Sequence, residues 1–129
     1  MNDPISDFLI RIKNAYMAGK VQFEVPHSKM KEAIADVLKR HGFISKIATK
    51  KEGVKKFMVI DLAYQNKIPK FTNVVIISKP GKRVYVPHNK LPKVLGGLGI
   101  TIVSTPEGIM SGSFAKKKKL GGELICKIW

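Results

Sequence analysis

The chain has 129 residues, room for one ordinary domain or two very small ones and too little for most multi-step enzymes. Hydrophobic residues at 44% and charged residues at 26% are ordinary for a folded protein, but 24 Lys+Arg against 9 Asp+Glu leave a net charge of +15. A domain this small repels itself at that charge unless a polyanion takes it up, which points to nucleic acid first and an anionic membrane surface second.

In chain order, Asp3-Pro4 reads as an N-cap followed by proline at the first helical position. Ile5, Phe8, Leu9, Ile12 and Tyr16 then recur at helical spacing until Gly19. Val21 to Val25 reads as a strand ended by Pro26. Ser28 caps a second helix whose apolar face is Met30, Ile34, Val37 and Leu38, with Gly42 at its C-terminal stop. Each helix has one apolar stripe and so covers a sheet. Phe43 to Thr49 and Lys56 to Leu62 read as strands flanking a turn at Lys51-Glu52-Gly53. The polar stretch Asn66 to Lys70, with Pro69, reads as the boundary between two lobes.

Beyond it, Val74 to Ser78 reads as a buried strand, Pro80-Gly81 as a turn, and Arg83 to Val86 as a short strand. Leu95 to Gly99 is a glycine-rich connector, and Ile100 to Thr105 a strand running into a Pro106-Glu107-Gly108 turn. Ser113 to Leu120 reads as one or two helical turns stopped by Gly121-Gly122, and Glu123 to Trp129 as a final strand. The expectation is an α+β protein: an αβαββ lobe over residues 1–64 and a mostly-β lobe with one short helix over residues 70–129.

Residues 1–64 hold 12 basic and 7 acidic groups, net +5, and residues 65–129 hold 12 and 2, net +10, so the second half carries most of the attraction for a polyanion. The opening Met1-Asn2-Asp3-Pro4 is acidic where a secretory leader would be basic. The longest apolar run, Val74 to Ile77, is far short of the roughly 18 residues of a membrane span. These features read as a soluble, intracellular chain with no membrane partner. One cysteine, Cys126, excludes an internal disulfide framework, and its alternation with Leu124 and Ile128 reads as a buried core thiol.

Catalytic options are thin. His27, His41 and His88 are scattered, with no cysteine or carboxylate at ligand spacing, so no metal or other cofactor is expected. His41 before Gly42 reads as a last-turn cation. The glycines at 96, 97 and 99 lack the Gly-Lys-Ser/Thr and the following helix of a phosphate-binding loop.

Binding features are richer. Lys116, Lys117, Lys118 and Lys119 have no acidic residue near them in sequence and read as phosphate contacts, against a solvated helix face as the plain alternative. In the stretch Ser104-Thr105-Pro106-Glu107-Gly108, two hydroxyls that can donate and accept sit beside a stiffening proline and a permissive glycine. That chemistry can read a bent or irregular RNA without charge, and a polar hairpin turn is the plain alternative. Tyr85 shares a strand face with Arg83, a platform for an unpaired base or else a half-buried strand tyrosine. Arg11, Lys13, Asn14, Lys29 and Lys31 are polar-face residues of the first lobe, and Ser28 with Lys29 at the start of the second helix offers a phosphate seat.

Several blocks resemble the bacterial small-subunit ribosomal protein family numbered eight. They are Asp3-Pro4-Ile5 with Arg11 to Ala15, Val25-Pro26 with Ser28-Lys29, Ile77 to Tyr85, Leu98 to Thr105 with Glu107 to Met110, and Ala115 with Gly121-Gly122-Glu123. They span the whole chain in order. The resemblance implies two α/β lobes and a structural role in the small ribosomal subunit. It implies binding, early in assembly, to a helix of the central domain of small-subunit ribosomal RNA. The turn of Ser104, Thr105 and Gly108, with Glu123 and Tyr85 beside it, would insert at an irregular core of that helix. Neighbouring small-subunit ribosomal proteins are the other implied partners, and some members also bind their own operon's messenger RNA and repress its translation. The family usually has a third small hydroxyl residue where this chain has Pro106, which removes a hydroxyl and an N–H donor.

The reading is therefore a non-enzymatic RNA-binding component of the cytoplasmic ribosome, monomeric when free, with a plastid copy left open. An RNA-processing enzyme and a general basic nucleic-acid adaptor are the alternatives.

Overall fold

The computed structural model describes residues 3–129. Met1 and Asn2, part of the acidic opening, lie outside the described residues. The fold is α+β, and the described residues divide into two compact units: residues 7–72, and residues 73–129 together with residues 3–6.

The two expected helices form where their caps predict, the second wholly within the first unit and the first from Asp7 onward. Helix α1 spans Pro4–Met17 behind Asp3, whose Oδ1 accepts from the amides of Ile5 and Ser6 at 3.2 Å each. Gly19 takes a φ of +68° and Lys20 N donates to Ala15 O, the bond pattern that ends a helix in a left-handed residue. Helix α2 spans Lys29–Arg40, with Ser28 Oγ accepting from Lys31 N at 3.1 Å. Its buried stripe is Ile34, Ala35, Val37 and Leu38, while Met30 in the first turn is half-exposed. His41 is the C-terminal cap and not the cation expected there. Burial, with Arg40 beside it, pushes its imidazole below the ordinary value of 6.5, and Lys39 and Arg40 supply the charge instead.

The strands β1 (Gln22–Pro26), β2 (Ile44–Glu52) and β3 (Lys55–Leu62) form an antiparallel sheet in the order β1-β3-β2. The hairpin turn lies at Gly53-Val54, later than the sequence suggests, because Glu52 still pairs with Lys55. Gly53 holds a φ of +63° at the first turn position, where only glycine is comfortable. The polar stretch expected to separate two lobes is itself a small hairpin, β4 (Tyr64–Gln65) with β5 (Ile68–Pro69), turned by Asn66 and Lys67 at φ of 53° and 66°.

The chain does not leave the unit there. Phe71 is buried, stacks on Tyr16 at 5.3 Å and meets Phe43 edge-on at 6.3 Å. The Tyr16 hydroxyl donates to Phe43 O at 2.5 Å and accepts from Ala63 N at 2.9 Å, so this buried phenol ties the end of α1 to both ends of the sheet's last hairpin.

In the second unit the terminal strand β10 (Gly122–Ile128) is central. It pairs with β8 (Ile100–Thr105) on one side, and β8 pairs with β9 (Gly108–Ser111). On its other side lie β6 (Val74–Ile76) and β7 (Tyr85–Val86), both antiparallel to it. Residues 74–86 therefore act as one edge strand interrupted by an excursion. Lys79 and Lys82 exchange backbone bonds around Pro80-Gly81, and buried Ser78 Oγ accepts from Val84 N at 3.0 Å to close the base. Val75 is exposed between buried Val74 and half-buried Ile76, so β6 buries one face only, unlike the fully buried strand its apolar run suggests.

One face of the sheet packs Val103, Met110 and Leu124 with Leu91 and with Ala115 of α3 (Gly112–Lys117). Ser111 caps helix α3, its Oγ accepting from Phe114 N at 3.3 Å. It ends at Lys119, which takes a φ of +59° while Leu120 N reaches Ala115 O, so a lysine and not Gly121-Gly122 performs the stop. The two glycines serve packing. A Cβ on Gly121 would stand 2.7 Å from Val86 O, and one on Gly122 would stand 2.1 Å from Ser104 O. Trp129 exchanges backbone bonds with Asn73 and so anchors the end of the terminal strand, as its alternation suggested.

Cys126 is buried as expected, but not on the face of Leu124. A bulge between Leu124 and Cys126 sets Leu124 opposite Val103 and Cys126 opposite Ile102, consecutive residues of β8 that face opposite ways. Burial pushes the thiol up from 9.0 to about 12. At pH 8 the thiolate fraction should fall about a thousandfold, so alkylation by iodoacetamide should wait for unfolding. Mass-spectrometric labelling with and without urea checks this; rapid native labelling would mean that β10 opens. Gly122→Ala should lower stability by about 1–3 kcal/mol in urea unfolding, because its Cβ meets backbone that cannot rotate away.

Candidate nucleic-acid interface

The register of β10 assembles the predicted residues. Glu123 stands opposite Tyr85 of β7 on one side and Ser104 of β8 on the other, and Ser104 stands opposite Ile109 of β9. Directly opposed residues of neighbouring strands project from the same face. Tyr85, Glu123, Ser104 and Ile109 thus form one row across four strands, on the side away from the core of Val103, Leu124 and Met110. Tyr85 is 71% exposed, which excludes the half-buried alternative and leaves a ring face open to stacking. Arg83 Nη1 donates to Glu123 Oε2 at 3.3 Å, which brings together two residues forty positions apart and partly neutralises both.

The turn that follows is tighter than a loop. Thr105 pairs with Gly108, leaving only Pro106 and Glu107 between β8 and β9. Ser104 and Thr105 are strand residues with different employment. Thr105 is buried, and its Oγ1 donates to Gly108 O at 2.8 Å and accepts from Glu107 N at 3.1 Å. Its hydroxyl proton is therefore committed to closing the turn. Ser104 is partly exposed, has no side-chain partner among the described residues, and keeps its donor and acceptor available. Pro106 occupies the position where a fixed φ suits the turn. Gly108 holds a φ of +118°, outside the comfort of any L residue.

The lysine run lies beside this turn. The sequence shows no acidic residue near it, but the fold does: Lys118 Nζ reaches Glu107 Oε1 at 3.2 Å and sits 5.4 Å above the Phe114 ring. Lys118 is thus partly engaged, whereas Lys116, Lys117 and Lys119 are exposed without an ion-pair partner among the described residues. The pair links the turn to α3, so the hydroxyl row and the cations share one region of the second unit.

The remaining candidates belong to the first unit. Arg11 and Asn14 line a groove between α1 and β1. Ser28 and Lys29 lie at the start of α2 and not in that groove. The Ser28 hydroxyl is occupied by capping, and Glu32 in the same first turn bonds His27 Nε2 at 2.6 Å. That hydrogen bond holds the Glu32 carboxyl below its ordinary range. A carboxylate at the positive end of the helix already answers its dipole and works against the phosphate seat. His27 has a carboxylate partner that spacing did not reveal, yet among the described residues no group of three His, Cys, Asp or Glu could hold a metal ion. Among the same residues no helix is long and apolar enough to cross a membrane. Two features of the site escaped sequence reading: the Lys118–Glu107 link and Ile109 in the row, since neither has a local sequence signal.

The family profile described as Ribosomal protein S8 matches residues 3–129. The small ribosomal subunit protein uS8 of Dictyoglomus turgidum is 46% identical over 129 residues, covering 100% of this chain and 98% of that protein. The protein of the same name from Nitratidesulfovibrio vulgaris is 45% identical, covering 100% and 99%. That from Nostoc punctiforme is 47% identical over 130 residues, covering 99% and 98%.

The unequal employment of the two hydroxyls generates a test on the protein alone. Thr105→Val keeps shape but removes both turn-closing bonds and should cost about 1–2 kcal/mol of stability. Ser104→Ala should stay within about 0.5 kcal/mol, as for a surface substitution. Urea unfolding of the two variants reads the difference; equal costs would place Ser104 in the fold's internal bonding.

Proposed function

The chain belongs to the ribosomal protein S8 family, and from that premise we propose that it is a structural, non-catalytic component of the small ribosomal subunit. In this reading it binds a helix in the central domain of small-subunit ribosomal RNA, early in assembly, in the cytoplasm. The observation that carries the reading is the cross-strand row of Tyr85, Glu123 and Ser104 beside the 105–108 turn. An exposed aromatic, a free hydroxyl and a carboxylate standing in line can stack on a base and hydrogen-bond base edges of an irregular helix. The carboxylate accepts only, so Glu123 selects exocyclic amino or ribose hydroxyl donors. Arg83 bonded to it holds that carboxylate in place.

The roles then separate by chemistry. Ser104 and Tyr85 recognise shape. Thr105, Pro106 and Gly108 hold the turn rigid, and Glu107 positions Lys118. Lys116 and Lys117 meet phosphates. Arg11, Asn14, Ser28 and Lys29 supply secondary contacts from the first unit, and neighbouring ribosomal proteins take other surfaces. A messenger RNA of its own operon carrying the same irregular helix would be held by the same row, which is how such a protein would repress its own translation.

If about five to eight phosphates are contacted, log K should fall against log salt with a slope of roughly −4 to −7. Replacing Lys116 and Lys117 with Ala should make the slope shallower by roughly 1–2 and weaken specific and non-specific RNA alike. Ser104→Ala should leave the slope nearly unchanged and weaken only the central-domain helix, by about 1–3 kcal/mol for the RNA group left unpaired. Equal loss on both RNAs for Ser104→Ala, with the fold intact, would overturn the site assignment. Pro106→Ser adds a hydroxyl to the turn, and tighter specific binding would show that this chain lacks a contact there.

A further inference from the structure

The first unit carries an open sheet edge; the RNA reading takes Arg11 and Asn14 on the facing helix but not the edge itself. In the order β1-β3-β2, strand β1 has β3 on one side and no strand on the other. Leu62 N donates to Val21 O and His27 N to Lys56 O, so residues 21, 23, 25 and 27 direct their backbone groups toward β3. By the same alternation Gln22 and Glu24 direct their N–H and C=O groups outward, and the third outward position, Pro26, has no N–H to leave unpaired. The Pro26 carbonyl is already covered by Lys31 Nζ at 3.3 Å. The open edge is thus short and bounded.

It faces a groove of about 400 Å³ whose other wall is Arg11, Asn14 and Ala15 of α1, at helical spacing, with Ala18 just beyond the helix end. The side chains of Gln22 and Glu24 do not obstruct the edge, because they are held across the sheet by Asp61 at 2.7 Å and Lys50 at 2.9 Å. The opposite edge, β2, carries Lys46, Lys50 and Lys51, the usual protection of an exposed strand. Strand β1 has no basic residue of its own.

We propose that β1 is a docking edge for an extended, acidic peptide segment of another protein. The segment adds as a further strand, exchanging backbone bonds with Gln22 and Glu24. Its carboxylates, on alternate residues, face the helix wall across Ala15 and Ala18 and meet Arg11 and Lys20, which also line the groove and have no ion-pair partner among the described residues, while the residues between them face the other side of the sheet. Alternating N–H and C=O groups match a peptide backbone and not a ribose-phosphate one, which favours a peptide over RNA. A second copy of this chain is disfavoured because it would set a +15 chain against itself.

The test uses the full chain and two blocked hexapeptides, Thr-Val-Glu-Val-Glu-Thr and Thr-Val-Lys-Val-Lys-Thr, at a few millimolar. The acidic peptide should shift the Gln22 and Glu24 amides in NMR spectra and slow their hydrogen exchange, and the lysine peptide should not. Glu24→Pro removes an outward N–H without touching the β1–β3 bonds and should weaken the acidic peptide about tenfold or more, while Glu24→Gln keeps it. Arg11→Glu, an exposed helix substitution, should weaken it similarly and serves if Glu24→Pro disturbs the fold. No amide response to the acidic peptide, equal response to both peptides, or a response at Gln22 and Glu24 to the ribosomal RNA helix alone would overturn the proposal. Loss of RNA binding in Ser104→Ala reads the other site, so the two assignments fail separately.

Discussion

The second unit depends on how closely β10 approaches β8. Gly122 passes so near Ser104 O that any Cβ would overlap it. That approach lets the next residue, Glu123, register with Ser104 on one side and Tyr85 on the other. Without it the row of an aromatic, a carboxylate and a hydroxyl would not line up, because a one-residue slip turns every side chain to the opposite face. The bulge after Leu124 has a companion effect. It lets the same strand put Leu124 into the core under α3 and Cys126 against Ile102 on the other side.

Rigidity at the turn comes from inward bonding. Thr105 commits its hydroxyl to Gly108 and Glu107, Pro106 has no N–H to satisfy, and Lys118 holds Glu107 from α3. A turn closed by its own side chains holds Ser104 in one place, so the proposed RNA contact would meet it preorganised. The positive charge is arranged to complement this. Lys118 is partly neutralised beside the turn, and Lys116, Lys117 and Lys119 around it stay exposed.

The first unit solves a different problem. Its three-stranded sheet has two edges, and they are treated unequally: lysines guard β2, while β1 ends in a proline and opens onto a helix-walled groove. Its core is closed by a phenol. Tyr16 bonds Phe43 O and Ala63 N while stacking on Phe71, so one side chain ties α1, the entry to β2 and the segment after β3.

Local signals are what the sequence determined by itself. Asp3, Ser28, Gly19 and Gly42 mark helix ends because capping and left-handed φ depend on neighbours within a few residues. The α+β class, the basic second half and the family resemblance were also legible, as were Ser104, Tyr85 and Glu123 as separate candidates. Pairing across long sequence separations was decided only by tertiary structure. No local pattern says that Glu123 lies between Tyr85 and Ser104, that Glu107 reaches Lys118, or that Phe71 returns to Tyr16. The same holds for glycine function: Gly121-Gly122 looks like a helix stop, but the αL stop falls on Lys119 and the glycines answer a strand's close approach. A hydroxyl's availability is likewise invisible in sequence. Ser104 and Thr105 are neighbours of the same chemistry, and only the geometry of the turn commits one inward and leaves the other free.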